Sequence, residues 1–216
     1  MKVKQFVFNH FQENCYVVWD EATRVCAIVD PGAEAGYEDA RLTQFVADNG
    51  LMPKYVLLTH AHIDHIAGLR QVCERYGLPV TMHKDGGKLL AQAEVYGSVM
   101  GFEARNMNDL KTNCIGEGDV LTLGADEESR IECRYVPGHC PGSLAYVLPA
   151  EKMVITGDAL FRGSIGRTDL PGGDYQTLTE SLRSRIMVLD DDYEVLPGHG
   201  DLSTIGEEHL YNGFLM

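Results

Sequence analysis

The chain has 216 residues, of which 18 are Lys or Arg and 32 are Asp or Glu, so its formal net charge is −14. Hydrophobic residues make up 44% of the sequence and charged residues 23%, proportions typical of a soluble globular protein. A field of this sign repels nucleic-acid phosphates and anionic membrane surfaces, and no apolar run reaches the roughly 18 residues that span a bilayer. We therefore expect neither nucleic acid nor a membrane as a partner.

The length favours a single domain over residues 1–216, which is long enough to build a core without cross-links. Six cysteines are scattered along the chain without a CxxC pair, a pattern typical of buried free thiols in a reducing compartment. Residues 1–8 lack the long apolar core of a secretory signal. These features together predict a cytoplasmic protein.

Apolar and alternating runs predict the secondary structure in chain order. The first half contains predicted strands at 3–8, 15–19, 24–29, 55–58 and 79–82, with helices at 37–49, 66–76 and 89–99. The second half contains predicted strands at 120–123, 131–136, 144–148, 153–155 and 194–196, with a helix at 175–188. A polar turn joins the second and third strands into a hairpin. This order predicts an α/β (α+β) fold in which two β-rich halves pack together with helices outside.

The most informative motif is the segment 59–65, with the sequence THAHIDH, which follows an apolar strand. It brings His60, His62, Asp64 and His65 to the end of that strand. His60 and His62 point to the same side if the chain is extended, and the following turn can bring Asp64 and His65 to an adjacent point. Imidazole and carboxylate groups suit zinc, iron or manganese, so the motif predicts one or two metals. The alternative is a surface loop that happens to be rich in histidine.

Three later residues fit the same plan. His139, Asp158 and His199 each follow an apolar strand, and glycine flanks each of them. Glycine lets the backbone approach a site closely. A single histidine in a loop is usually unremarkable, but the repetition after successive strands predicts that these residues join the cluster at 59–65.

With these residues in this order, the chain resembles the metallo-β-lactamase superfamily, from its opening strands to His199. The resemblance implies a four-layer αββα sandwich with a pair of metals at one edge. It also implies a division of the ligands between the two metals. The first metal would be held by His60, His62, His139 and Asp158, and the second by Asp64, His65, His199 and the shared carboxylate of Asp158.

Within this superfamily the chain is most similar to the glyoxalase II group, which hydrolyses thioesters of glutathione. The similarity lies in the segment 157–161 and in Gly166 and Arg167. Arg167 and Tyr146 match positions that contact substrate in that group, whereas Asp169 stands where full-length members carry an aromatic residue. Arg162 is a further cation in the same glycine-rich region. The chain lacks the C-terminal helical part of full-length members and resembles their short, single-domain subgroup.

The expected activity is hydrolysis of a small-molecule thioester, such as S-lactoylglutathione, by a metal-bridged hydroxide. Asp158 would hold two divalent metals together, most simply zinc with iron or manganese as alternatives, and Asp64 would accept a hydrogen bond from the nucleophile. Three other functions stay open on the sequence alone. They are a persulfide dioxygenase with one iron on His60, His139 and Asp158, a lactonase of the same fold, and a non-catalytic metal-binding module. The sequence leaves the oligomeric state open.

Overall fold

A computed structural model describes residues 1–103, 105–125 and 127–216. Its first half contains these elements: β1 (Lys2–Phe8), β2 (Glu13–Trp19), β3 (Val25–Val29), α1 (Tyr37–Asp48), β4 (Met52–Leu57), α2 (Ile63–Ile66), α3 (Leu69–Tyr76), β5 (Val80–Met82), α4 (Gly87–Ala91) and α5 (Ala93–Met100). Its second half contains these: β6 (Thr112–Cys114), β7 (Val120–Thr122), β8 (Arg130–Tyr135), β9 (Leu144–Leu148), β10 (Met153–Gly157), β11 (Leu160–Phe161), β12 (Ser164–Ile165), α6 (Tyr175–Ser181), β13 (Glu194–Pro197), β14 (Ser203–Thr204) and α7 (Ile205–Tyr211).

The strands form two six-stranded sheets and one small hairpin. The first sheet has the order β1-β2-β3-β4-β5-β6, and the second has the order β14-β13-β10-β9-β8-β7. In the first sheet β1, β2 and β3 pair antiparallel, which confirms the predicted hairpin, and the strands from β3 to β6 pair parallel. The hairpin of β11 and β12 follows the second sheet's strand β10.

A buried core between the two sheets explains why β2 is apolar on both faces. Side chains alternate along a strand, so Tyr16 and Val18 point towards the second sheet, where Leu144 and Leu148 meet them. The intervening Val17 belongs to a different core on the outer face of the first sheet. Strands covered on both faces carry near-continuous apolar runs, and all residues of β2 except Trp19 are buried.

Helices cover the outer face of each sheet. Leu42 of α1 and Leu69 of α3 pack on the first sheet, and Leu178 of α6 and Ile205 of α7 pack on the second. The order of layers is therefore helix, sheet, sheet, helix, which confirms the predicted αββα sandwich. Among the described residues, no helix combines the length and the apolar character needed to cross a membrane.

Two predicted helices are interrupted. The helix predicted at 66–76 is two helices, α2 and α3, which are separated at Gly68. The amide of Gly68 donates to the carbonyl oxygen of Pro31 at 2.8 Å, and a Cβ on Gly68 would lie 2.4 Å from the carbonyl oxygen of Ala33. The close packing of this turn against the end of β3 breaks the helix. The helix predicted at 89–99 is likewise divided into α4 and α5, which meet at Gln92.

Several short elements were not predicted. Strand β6 is exposed along its length and pairs with β5 through backbone hydrogen bonds, so it has no hydrophobic pattern to reveal it. Helix α7 begins at a capping box in which the Thr204 side chain accepts from the Glu207 amide. That Thr-x-x-Glu signal was present in the sequence.

Tyr146 lies inside the molecule, and the prediction that it contacts substrate is wrong. It is fully buried between the sheets on β9, and its hydroxyl donates to the carbonyl oxygen of Leu58 at 2.7 Å. The resemblance gave its position in the chain but not the face of β9 on which it stands. Its hydrogen bond joins the second sheet to the chain just before His60.

We expect Tyr146→Phe to lower the free energy of unfolding by about 1 to 3 kcal/mol, because it leaves the buried carbonyl of Leu58 without its donor. Urea unfolding followed by circular dichroism measures this change. The matched control is Tyr211→Phe, at a side chain that is 73% exposed, which should stay within about 0.5 kcal/mol of the parent. Equal stability of the two variants would contradict the structural role of the Tyr146 hydroxyl.

Candidate metal centre

The seven predicted ligands meet where both sheets end at a shared edge. The first sheet supplies four of them, because β4 runs into the loop of His60 and His62 and then into α2, which carries Asp64 and His65. The second sheet supplies the other three from the segments after β8, β10 and β13, which carry His139, Asp158 and His199. All of the residues predicted from the strand ends therefore come together.

Three histidines form one half of the centre. Nδ1 of His62 lies 3.1 Å from Nε2 of His60 and 2.9 Å from Nε2 of His139. Three imidazole nitrogens this close together are typical of three ligands on one face of a metal ion. His60 and His139 are buried, and His62 is partly exposed to the cleft.

Asp64, His65 and His199 form the other half. Nε2 of His199 lies 3.0 Å from Oδ2 of Asp64 and 3.3 Å from Nε2 of His65. Oδ2 of Asp64 lies 3.7 Å from Nε2 of His65. The three donor atoms therefore surround a second point, next to the first.

Asp158 lies between the two groups. Its Oδ1 is 3.2 Å from Nε2 of His65. Its Oδ2 is 3.8 Å from Nε2 of His139 and 3.7 Å from Nε2 of His199. One carboxylate thus reaches both clusters, as a bridging ligand must. No group within the described chain donates a hydrogen bond of good geometry to Oδ1. This buried oxygen is therefore available to a cation.

The three-histidine cluster is held in the protonation state that binds metals. Burial lowers the pKa of His60 well below its usual value, and the neighbouring histidines lower it further. Burial also lowers the pKa of His62, to about 4, and that of His139. All three imidazoles are therefore neutral at neutral pH, with lone pairs available to a metal.

Electrostatics differ around the second cluster. Burial opposes charge on His65, but the carboxylates of Asp158 and Asp64 outweigh burial and raise the pKa of His65 well above its usual value. Burial likewise opposes ionisation of the Asp64 and Asp158 carboxyl groups. The positive charge of His65 outweighs the effect of burial and lowers the pKa of both carboxyl groups. The carboxylates are ionised, so the donor set suits a divalent cation that replaces protons on binding.

A second layer of hydrogen bonds orients the ligands. Asp30, at the end of β3, accepts from the Thr59 amide at 2.7 Å and the Thr59 hydroxyl at 2.5 Å, and it lies 3.0 Å from Nδ1 of His65. Nδ1 of His139 lies 2.8 Å from the carbonyl oxygen of Arg167. Such contacts direct the opposite ring nitrogen towards a metal.

Two acidic residues beside the candidate ligands, Asp30 and Glu13, were not predicted from the sequence. A single acidic residue after or within a strand carries no distinctive pattern. The Glu13 carboxyl is fully buried, its Oε1 lies 4.0 Å from Nδ1 of His65, and burial raises its pKa well above the usual value. Neither carboxyl oxygen has a hydrogen-bond partner within the described chain. Asn9 is a third missed residue, and its side-chain amide donates to the carbonyl oxygen of Asp64 at 2.9 Å.

Close backbone packing explains one of the flanking glycines. A Cβ on Gly198 would lie 2.2 Å from Oδ1 of Asp158 and 2.7 Å from a carbon of the His65 ring. Any side chain at this position would displace the ligands on both sides. Gly198, which precedes His199, therefore lets the backbone approach Asp158 and His65 closely, as the sequence predicts for the flanking glycines.

A cavity of about 220 Å³ opens over the ligands. Of the predicted substrate contacts, Arg167 lines this cavity and donates two hydrogen bonds to Asp169. Arg162 is not among the described lining residues. Its guanidinium instead lies 3.7 Å from the Asp201 carboxylate in an exposed ion pair.

Cys140 lies beside the three histidines, close enough to be grouped with them as a possible metal ligand. It is buried, and burial raises the pKa of its thiol to about 12. Its sulfur lies 3.3 Å from the Ser143 hydroxyl. Without a bound cation the thiol is therefore protonated at neutral pH.

Comparison with known proteins agrees with this geometry. Residues 9–199 match the family model of the metallo-beta-lactamase superfamily. The hydroxyacylglutathione hydrolase GloC of Haemophilus influenzae is 36% identical over 222 aligned residues, covering 100% of this chain and 98% of the relative.

Two solved structures have the same fold. The BLEG-1 B3 metallo-beta-lactamase has a TM-score of 0.88 at 32% identity, with both chains covered completely. The TTHA1623 protein, solved in a di-iron-bound form, has a TM-score of 0.86 at 34% identity, covering 98% of this chain and 100% of that one. The chain belongs to the metallo-β-lactamase superfamily.

Proposed function

We propose that the protein is a metal-dependent hydrolase of the glyoxalase II type, which cleaves a small-molecule thioester such as S-lactoylglutathione. The observation that carries this proposal is the convergence of seven nitrogen and oxygen donors in two clusters that share Asp158. The name of the Haemophilus influenzae relative supports the thioester as the substrate class. The di-iron form of the structural neighbour supports iron as an alternative to zinc.

His60, His62 and His139 would hold one metal, and Asp64, His65 and His199 the other, with Asp158 between them. When bound, such a pair supplies a hydroxide nucleophile at neutral pH and polarises the carbonyl that is attacked. Two clusters with a shared carboxylate are better suited to hydrolysis than to a reaction at one iron, which needs only three of these seven ligands.

The chain's own carboxylates would guide the nucleophile. Asp64 lines the cleft, and its Oδ2 lies 3.0 Å from Nε2 of His199. From this position an ionised carboxylate can accept a hydrogen bond from an attacking water and hold its orientation. Asp158 would keep the two halves of the centre together, and Arg167 would contact the substrate at the rim of the cleft.

We also propose that the enzyme works in the cytoplasm. All six cysteines are free, and five of them are buried. A chain whose thiols remain unpaired is suited to a reducing compartment.

We expect the protein reconstituted with zinc to bind close to two ions per chain. Asp158→Ala should bind close to none, because both clusters lose their shared carboxylate, whereas His199→Ala should retain the ion on the three-histidine cluster. Elemental analysis after gel filtration measures the ratio. Asp201→Ala, at an exposed side chain just beyond His199, is the matched control and should match the parent. Equal losses in the Asp158 and His199 variants would contradict the division of the ligands.

Asp30→Asn should weaken zinc binding by about 10- to 100-fold, because the amide cannot replace all three hydrogen bonds around Thr59 and His65. Asparagine tolerates the positive φ of 49° at this position, so the fold should survive. Competition with a chromophoric chelator measures the affinity. The exposed Asp190→Asn serves as the control, and an unchanged affinity in Asp30→Asn would refute the orienting role.

The activity itself is tested with two assays on the metal-loaded protein. We expect hydrolysis of S-lactoylglutathione and no oxygen uptake with glutathione persulfide. Asp64→Asn should lower kcat by at least about 100-fold if the carboxylate orients the attacking water. Oxygen uptake with the persulfide, combined with inactivity towards thioesters, would assign the protein to the dioxygenases instead.

A further inference from the structure

The wall of the cleft opposite the metal ligands is apolar. Helices α4 and α5 present one face to it, with residues spaced four, three and four apart. The residues on this face are Leu89, Ala93, Tyr96 and Met100, and Phe11, Leu170 and Pro171 complete the wall from neighbouring loops. A substrate group lying between this wall and the metal ligands is therefore surrounded mainly by carbon.

This wall is held in place before any substrate binds. Nε2 of His10 lies 3.1 Å from the carbonyl oxygen of Met100, at the end of α5. The ring of Phe102 lies 4.6 Å from that of His10 and 5.5 Å from that of Phe11. The aromatic cluster fixes the end of the helix against the loop between β1 and β2, so an apolar group can bind at little cost in ordering.

Among the described lining residues that carry a fixed charge, only one is a cation. These charged residues are Asp64 and Asp158, which belong to the metal centre, and Arg167. Arg167 donates from Nε and Nη2 to the two carboxylate oxygens of Asp169, each at 2.8 Å. This contact lowers the pKa of Asp169 to about 2, so the carboxylate stays ionised at neutral pH. A substrate carboxylate that binds the remaining N–H groups of this guanidinium therefore lies beside the Asp169 carboxylate, which repels it.

Two lysines lie nearby but in a different groove. Lys84 and Lys88 line a groove that shares Leu89, Tyr96 and Pro171 with the cleft, and neither lysine lines the cleft itself. A short anionic arm held over the metal centre therefore meets Arg167, with Asp169 beside it, rather than these lysines.

From these contacts we infer that the cleft selects thioesters whose thiol arm is neutral and apolar, and that Asp169 discriminates against anionic arms such as that of glutathione. The inference rests on the proposed thioesterase function and specifies its substrate class, in which S-lactoylglutathione is hydrolysed less efficiently than a thioester with a neutral, apolar arm. Arg167 then contacts the substrate through its aliphatic stem, while its charged end remains paired with Asp169.

The test compares lactoyl thioesters of benzyl mercaptan and of glutathione, with the zinc-loaded full-length protein. We expect kcat/KM for the benzyl thioester to exceed that for the glutathione thioester by at least about tenfold. Asp169→Asn should raise kcat/KM for the glutathione thioester by about tenfold relative to that for the benzyl thioester, because it removes the negative charge beside the Arg167 guanidinium.

The apolar wall is tested separately by Tyr96→Ala, which should lower kcat/KM for the benzyl thioester by about tenfold relative to that for the glutathione thioester. The matched control is Val99→Ala on the same helix, at a side chain that is 79% exposed and is not among the described lining residues of the cleft. This variant should leave the ratio between the two substrates as in the parent.

A parent enzyme that prefers the glutathione thioester, or an Asp169→Asn variant with an unchanged ratio, would overturn the inference while leaving the thioesterase function intact. A coenzyme A thioester that is preferred to the benzyl thioester and loses that preference in Lys84→Ala or Lys88→Ala would also overturn it, in favour of an anion subsite in the adjoining groove. Inactivity of the zinc-loaded protein with every thioester would instead refute the proposed function, and the inference with it.

Discussion

The metal centre depends on the meeting of two sheets at one edge. The first sheet supplies His60, His62, Asp64 and His65, and the second supplies the other three ligands, so a small shift between the sheets would separate the two sets of donor atoms. Buried hydrogen bonds oppose such a shift close to the site. The Tyr146 hydroxyl on one sheet binds the Leu58 carbonyl on the other, and the Leu144 amide donates to the Thr59 carbonyl at 2.8 Å.

The imidazoles and carboxylates that are crowded at this edge repel groups of their own kind, and a bound cation relieves this repulsion. Buried imidazoles depress one another's pKa in the three-histidine cluster, while Asp64 and Asp158 compete for the charge of His65. Divalent metals satisfy the lone pairs and the negative charges together, so metal binding should also stabilise the fold. The apolar wall lowers the polarity beside the same place, which strengthens each electrostatic contact with the reacting atoms.

The sequence predicted the layers and the convergence of the seven candidate ligands, because both depend on local patterns. Apolar strands end at chemically distinctive residues, and the strand ends meet in space, so His139, Asp158 and His199 could be assigned beside the motif at 59–65. Tyr146 was assigned wrongly because its position in the chain does not reveal that β9 is buried on both faces, with Tyr146 on the face between the sheets. Asp30 was missed because its role exists only once β3, Thr59 and His65 come together, and the pairing of Arg167 with Asp169 is a property of the folded loop.

We propose that seven side chains form two adjacent metal sites that share Asp158. The most direct measurement is a crystal structure of the zinc-loaded protein with anomalous data at the zinc edge. We expect two anomalous peaks per chain, with Asp158 in contact with both. One peak should be surrounded by His60, His62 and His139, and the other by Asp64, His65 and His199. A single peak, or a second peak outside the reach of Asp158, would contradict this proposal.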